Sequence, residues 1–261
     1  MRNGSAMFVL GAQRRVRMHE LEHEHTPKAI RDRLQQEHRP NYLRDWVYGG
    51  IDGAVTTFAV ISGVAGASLS SGIILILGIA NLVADGFSMA AANYSGTKTE
   101  VDDLHRLAEV ERRHIALVPD GEREEIRQIL MSKGLTGGAL EDAVAAITSN
   151  EKVWIETMLA EEYGLSRVLP SPLIAGLYTF WAFVTCGAVP LIPFLLGVQN
   201  AFQWAIVATG ATFFIIGSIK SRWSLAPWWR SGFETLAIGM SAAGIAYVVG
   251  YALRELLGID V

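Results

Sequence analysis

The sequence predicts an all-α, polytopic membrane protein: five transmembrane helices with a cytoplasmic helical insert between the second and the third. Three observations predict it. The 261 residues are 51% hydrophobic and only 18% charged, against roughly 25% charged in an ordinary soluble domain. The charges are also confined. Between Asp45 and Thr97 the only Asp, Glu, Lys or Arg side chains are Asp52 and Asp85, between Pro172 and Ile219 there are none, and between Ser231 and Leu253 there is only Glu234. These apolar intervals hold two, two and one segments of the roughly 20 residues that a bilayer-crossing helix needs. Finally, five spans put 21 of the 22 lysines and arginines on one face and leave both short hairpins of the other face without any. Loops rich in Lys and Arg stay in the cytosol, so the N-terminus and the insert are expected inside and the C-terminus outside.

Residues 1–45 form a polar tail. It has no apolar core of the kind a cleaved signal peptide carries, so none is expected. Thr26-Pro27 reads as a cap followed by a first helical residue, opening an amphipathic helix to about Glu37 that suits a membrane surface. Residues 46–96 hold the first two spans, Val47 to Leu69 and Gly72 to Gly96, joined by a tight turn at Ser68–Gly72. Residues 97–171 are the insert, net −6 in charge. In it a first helix continues out of the second span to Leu117, Val118-Pro119-Asp120-Gly121 breaks it, Asp120 caps a second helix from Glu122 to Met131, and further helix runs from Ala139 to Tyr163. Residues 172–261 hold the last three spans, Leu173 to Leu196, Phe202 to Ile219 and Gly232 to Leu253. Pro190 and Pro193 predict a kink in the third. Trp46, Tyr48, Trp223, Trp228 and Trp229 sit where an interfacial aromatic belt is expected.

Composition also excludes functions. One cysteine, Cys186, leaves no partner for an internal disulfide and no thiolate cluster. A net charge of −4 gives no basic face for a nucleic acid. His19-Glu20-Leu21-Glu22-His23 matches the HExxH pattern of zinc hydrolases, but it stands in the polar tail with no folded domain to supply a third ligand. A metal-capturing tail of His19, His23 and His25, or a plain solvated segment, fits its setting better.

The chemistry lies inside the membrane. A carboxylate in a span costs about 2.5–3.5 kcal/mol on insertion scales, so Asp52 and Asp85 mark a functional hypothesis. Asn81, Asp85 and Met89 recur every four residues and form one stripe. With a rise of about 1.5 Å per residue, Asp52 lies about 9 Å into the first span, and Met89 and Asp85 about 10 and 16 Å into the antiparallel second. Two carboxylates, an amide oxygen and a thioether suit a divalent cation, and the soft sulfur favours Fe²⁺ over Mg²⁺. Without such a role, Asp52 would cap a kink beside Gly49, Gly50 and Gly53, and Asn81 would join two helices. The Gly49–Gly53 and Gly63–Gly66 spacings permit close helix approach or a dimer seam.

Tyr48-Gly49-Gly50-Ile51-Asp52-Gly53, the stretch Asn81-Leu82-Val83-Ala84-Asp85-Gly86-Phe87-Ser88-Met89 and the carboxylate-rich insert resemble the vacuolar iron transporter family of Fe²⁺/Mn²⁺ transporters, over about Tyr42 to Gly250. The resemblance implies a homodimer with a pathway at the subunit interface and a cytoplasmic metal-binding domain. It also implies export of Fe²⁺ or Mn²⁺ from the cytosol in exchange for protons, with no enzymatic activity and no tightly bound cofactor. In a bacterium the membrane would be the inner one. The family's pathway aspartate falls on Asp52 and its methionine on Met89. Some members carry a glutamate where this chain has Asn81, and Asp85, one turn on, compensates. In the insert the resemblance points to a mixed site of Glu111, His114, Glu161 and Glu162, able to take Zn²⁺ as well. A membrane-anchored metal sensor or scaffold is the alternative, and it would need no carboxylates within the spans.

Overall fold

The computed structural model describes residues 24–35, 40–165 and 168–257, and all regular structure among them is helical. His19 and His23 lie outside the described residues. Residues 24–35 belong to a unit of their own, containing helix α1, Pro27–Gln35. Proline at its first position has no N–H to lose there, and Thr26 Oγ1 accepts the backbone N–H of Ala29.

The rest of the chain begins with α2, Leu43–Gly66, and α3, Ser71–Leu117. The second span and the first insert helix are thus one 47-residue helix with no break at the expected membrane boundary. The insert continues with α4, Pro119–Ser132, α5, Gly137–Thr148, and α6, Glu151–Glu161. Two local expectations are corrected here. Helix α4 starts at Pro119 rather than being capped by Asp120, because proline's fixed φ suits the first helical position. The run expected from Ala139 to Tyr163 is two helices, since Asn150 takes extended dihedrals and accepts the N–H of Val153 as an N-cap.

The third span runs from α7, Pro172–Ala188, through a 3₁₀ turn at Val189–Leu191 into α8, Ile192–Leu195. Pro190 and Pro193 sit at this change of helix type, where the kink was expected. The last two spans are α9, Ala201–Lys220, and α10, Trp228–Leu257. Among the described residues, five helices are long and apolar enough to cross a membrane, making the chain a multi-pass membrane protein. Trp223, Trp228 and Trp229 are exposed, as a belt requires. Trp46 is partly buried and packs on a core of Ala54, Cys186, Phe213 and Ile216 instead.

Helix α2 is the hub, in contact with α3, α7, α9 and α10. Its glycines explain how. A Cβ at Gly49 or Gly53 would lie 2.2 Å from the carbonyl oxygen of Thr179 or 2.3 Å from that of Phe183, both on α7. At the other end, Gly66 abuts the backbone of α10 at Tyr247, while a Cβ on Gly250 would lie 2.3 Å from the oxygen of Gly63. Both glycine pairs therefore serve close packing within the chain. Lipid is as apolar as leucine, so backbone approach through small residues supplies the van der Waals contact that holds such helices together. The insert has a separate core of Ile126, Leu140, Val144, Trp154 and Met158.

Candidate functional site

The side chains expected to carry chemistry fall into two groups, each including residues of α3. The first lies between α2 and α3. Asn81 Nδ2 donates to Thr56 Oγ1 at 3.3 Å, which fixes the register of this antiparallel pair. One turn away on each helix, Asp52 and Asp85 come within Coulombic reach of each other. A further turn brings Tyr48 and Met89 together, lining a cavity of about 250 Å³ with Arg44, Asp45, Ala92, Asn93 and Thr179. The face ends where Asn93 Nδ2 donates to Asp45 Oδ1 at 2.8 Å. Asn81, Asp52, Asp85 and Met89 are all half-buried in the isolated chain.

Asp45 and Asn93 were not singled out by the sequence reading, although a signal was present. Asn93 is the next rung of the four-residue stripe Asn81, Asp85, Met89. A second cavity, of about 170 Å³, adjoins the first and shares Arg44, Asp45, Ala92 and Asn93 with it. It reaches Thr97 and Glu100 on the part of α3 that leads to the insert.

The second group is in the insert. Glu111 and His114 lie one turn apart near the end of α3, and Glu122 is in the first turn of α4. One ligand atom from each falls within 4.8 Å of the others, and His114 Nδ1 is 3.5 Å from Glu122 Oε1. Glu111 is 1% exposed and Glu122 5%. Each keeps a buried carboxylate oxygen, Oε2, without a hydrogen-bond partner. Buried carboxylates normally have their oxygens satisfied, so this arrangement suits a cation. Tyr163 donates its hydroxyl to Glu111 Oε1 at 2.9 Å.

Electrostatics follow from the crowding. Burial, then the neighbouring Glu125 and Glu111, push the Glu122 carboxyl up to about 7. Burial and the same two glutamates also raise Glu162, which places it beside the cluster. Burial and the bond to Glu111 raise the Tyr163 phenol. A site holding this much like charge favours protons or a metal ion.

Of the insert residues expected to act, Glu111 and His114 come together, and the exposed Glu162 lies within their electrostatic reach but outside that cluster. Glu161 does not join them, because it turns to Lys133 Nζ at 2.6 Å. Glu122 takes the place beside Glu111 and His114 instead. Sequence pattern did not reveal it, because its approach depends on the angle at which Pro119 restarts the chain after α3.

The chain is 31% identical over 217 residues to vacuolar iron transporter 2 of Oryza sativa subsp. japonica, covering 82% of this chain and 88% of that protein. It is 32% identical over 216 residues to vacuolar iron transporter 1 of Arabidopsis thaliana, covering 82% and 86%. It is 31% identical over 232 residues to the vacuolar iron transporter of Toxoplasma gondii, covering 84% and 77%. The model of the VIT family matches residues 43–251, from the first turn of α2 almost to the end of α10, and the chain belongs to that family.

Proposed function

We propose that this protein carries Fe²⁺, and Mn²⁺ as a second cargo, across the membrane and out of the cytosol in exchange for protons. The observation that carries the reading is the pairing of Asp52 with Asp85 between two membrane helices. Carboxylates are costly within a bilayer, and two of them within Coulombic reach of each other are more so, unless they bind protons or a cation. In this reading Asp52 and Asp85 alternate between the two, Met89 adds a soft ligand, and Asn81 offers its oxygen. The carboxylates neutralise a divalent ion when ionised and each other's repulsion when protonated, which couples proton movement to metal movement. The names of the relatives, vacuolar iron transporters, support iron as the cargo.

The insert collects the cargo. Glu111, His114, Glu122 and Glu162 bind it, Zn²⁺ included, on the cytosolic side, an orientation that the lysine and arginine distribution supports. Because α3 is continuous, the insert site lies about 39 Å along the same helix from Asp85. The half-buried state of Asp52, Asp85 and Met89 supports a homodimer in which a second copy shields this face from acyl chains.

The test is metal flux into vesicles containing the purified chain, with Fe²⁺, Mn²⁺ and Zn²⁺ compared across an imposed pH gradient. Uptake of Fe²⁺ and Mn²⁺ should require an acidic lumen and be lost in Asp52→Ala and Asp85→Asn. Flux unchanged in both variants would overturn the reading. Metal binding by the insert with no flux in the unaltered protein would favour the sensor or scaffold.

A further inference from the structure

The α2–α3 face has an unusual mechanical problem. Its two aspartates repel whenever both are ionised, yet the glycine seams do not join these helices to each other. Gly49 and Gly53 of α2 meet α7, Gly86 of α3 meets Phe183 of α7, and Gly176 of α7 meets the backbone of α3 at Ala90. Helix α3 is also lightly held, with 22% of its span buried against 50% for α2. Beside the apolar core that Phe58, Ile61 and Val64 of α2 share with Ile74 and Leu82 of α3, two side-chain hydrogen bonds join these helices directly among the described residues: Asn81 to Thr56 and Asn93 to Asp45.

These two bonds bracket the aspartates. Asn81–Thr56 lies one turn to one side of Asp52 and Asp85, and Asn93–Asp45 lies two turns to the other. The second is anchored further, since Asn93 Nδ2 also approaches Thr179 Oγ1 at 2.7 Å and the carbonyl of Ala175 at 3.3 Å. It therefore fastens α2, α3 and α7 at one point. Both ties donate from a neutral amide, and the second ends on the Asp45 carboxylate, two turns from Asp52.

We propose that Asn81 and Asn93 are positioning residues of the transport site, amide ties at either end of the α2–α3 face that hold Asp52 and Asp85 in register. The inference rests on the transport reading above. It adds that the amide nitrogen of Asn81, and not only its oxygen, is needed. A tie acts on the helices whether or not metal is present, and it fails when its acceptor is removed.

Thr56→Val separates a tie from a ligand, because it deletes the acceptor hydroxyl with little change in shape and leaves Asn81 intact. Losing one such hydrogen bond corresponds to about a fivefold effect. Thr56→Val and Asn81→Ala should each lower flux by about that factor, mainly through a raised KM, and the exchanged pair Thr56→Asn/Asn81→Thr should recover most of it. A silent Thr56→Val, or an exchanged pair no better than Asn81→Ala, would overturn the tie.

A second measurement is independent of transport. Cysteines at Tyr48 and Met89, in a Cys186→Ser background, can be joined by a short thiol cross-linker. The yield should fall by at least about fivefold, the effect of a single bond, when Asn81→Ala and Asn93→Leu are added together, and an unchanged yield would overturn the proposal even if flux is low. If the unaltered chain moves no metal, the transport reading fails while the cross-linking still decides whether the ties hold the register.

Discussion

Tyr163 and Glu111, 52 residues apart in sequence, meet in a hydrogen bond of 2.9 Å that closes the insert site from below α6. The phenol fills one lone pair of Glu111 Oε1 and leaves Oε2 free. A carboxylate held this way presents its remaining oxygen in one direction. Second-sphere partners of this kind change metal affinity by about 10–100-fold when removed. Tyr163→Phe is therefore expected to weaken Fe²⁺, Mn²⁺ or Zn²⁺ binding to the purified protein by about tenfold, measured by titration calorimetry at pH 7.5. Thermal stability without metal should change little.

The two acidic neighbours at the end of α6 should behave differently. Glu162 is raised by burial and by Glu111 and Glu125, whereas Glu161 is committed to Lys133 on the surface. Glu162→Gln is expected to lower metal affinity in the same titration, while Glu161→Gln should leave it within about twofold. Exposed ion pairs contribute only about 0–1 kcal/mol, so losing the Lys133 pair should not disturb the fold.

The difference between these two residues shows what could be read from the sequence and what could not. Period and hydropathy located all five spans, because a bilayer imposes a length and excludes charge wherever the helix begins. The stripe Asn81, Asp85, Met89 was legible for the same reason: residues four apart on one helix must share a face. Glu161 and Glu162 are adjacent and both exposed, and which of them faces Glu111 depends on where α6 ends and how the chain leaves it. Glu122 was hidden by the angle between α3 and α4. Contacts within a helix follow from periodicity, and contacts across a turn do not.

Glycine substitutions should rank by what a methyl group would strike. Gly53→Ala would place a Cβ 2.3 Å from the carbonyl oxygen of Phe183, a backbone atom that cannot move without α7 moving. Gly63→Ala meets nothing closer than 3.9 Å, and Gly244→Ala nothing within 4 Å. Gly53→Ala is expected to destabilise by about 1–3 kcal/mol through overpacking, seen as earlier loss of the monodisperse peak on heating in detergent. Gly244→Ala, in the middle of α10, should be neutral or stabilising by up to about 1 kcal/mol, because alanine is the better helix former.

The Glu122 carboxyl, pushed up to about 7 by burial and by Glu125 and Glu111, makes the insert sensitive to pH in two opposite ways. Without metal, the unfolded chain ionises this group near its ordinary value of 4.5, while the folded protein resists until about 7. Folding thus binds a proton between those values. Stability is highest below the lower one, falls as pH rises through the window, and stays low above it. Metal binding has the reverse dependence, since the ion must displace that proton. Affinity should rise as pH increases from about 6 to 8 and then level off, with a proton released for each ion bound at pH 6 and fewer at pH 8. Glu122→Gln should abolish most of the metal binding, flatten the fall in melting temperature between pH 5 and 7.5, and raise the melting temperature at pH 7.5 by about 3 °C. Calorimetry in buffers of different ionisation enthalpy counts the protons, and melting of the metal-free protein across pH measures the stability. A melting temperature that rose from pH 5 to 7.5 would show that Glu122 is stabilised as a carboxylate, contrary to its burial beside two other glutamates.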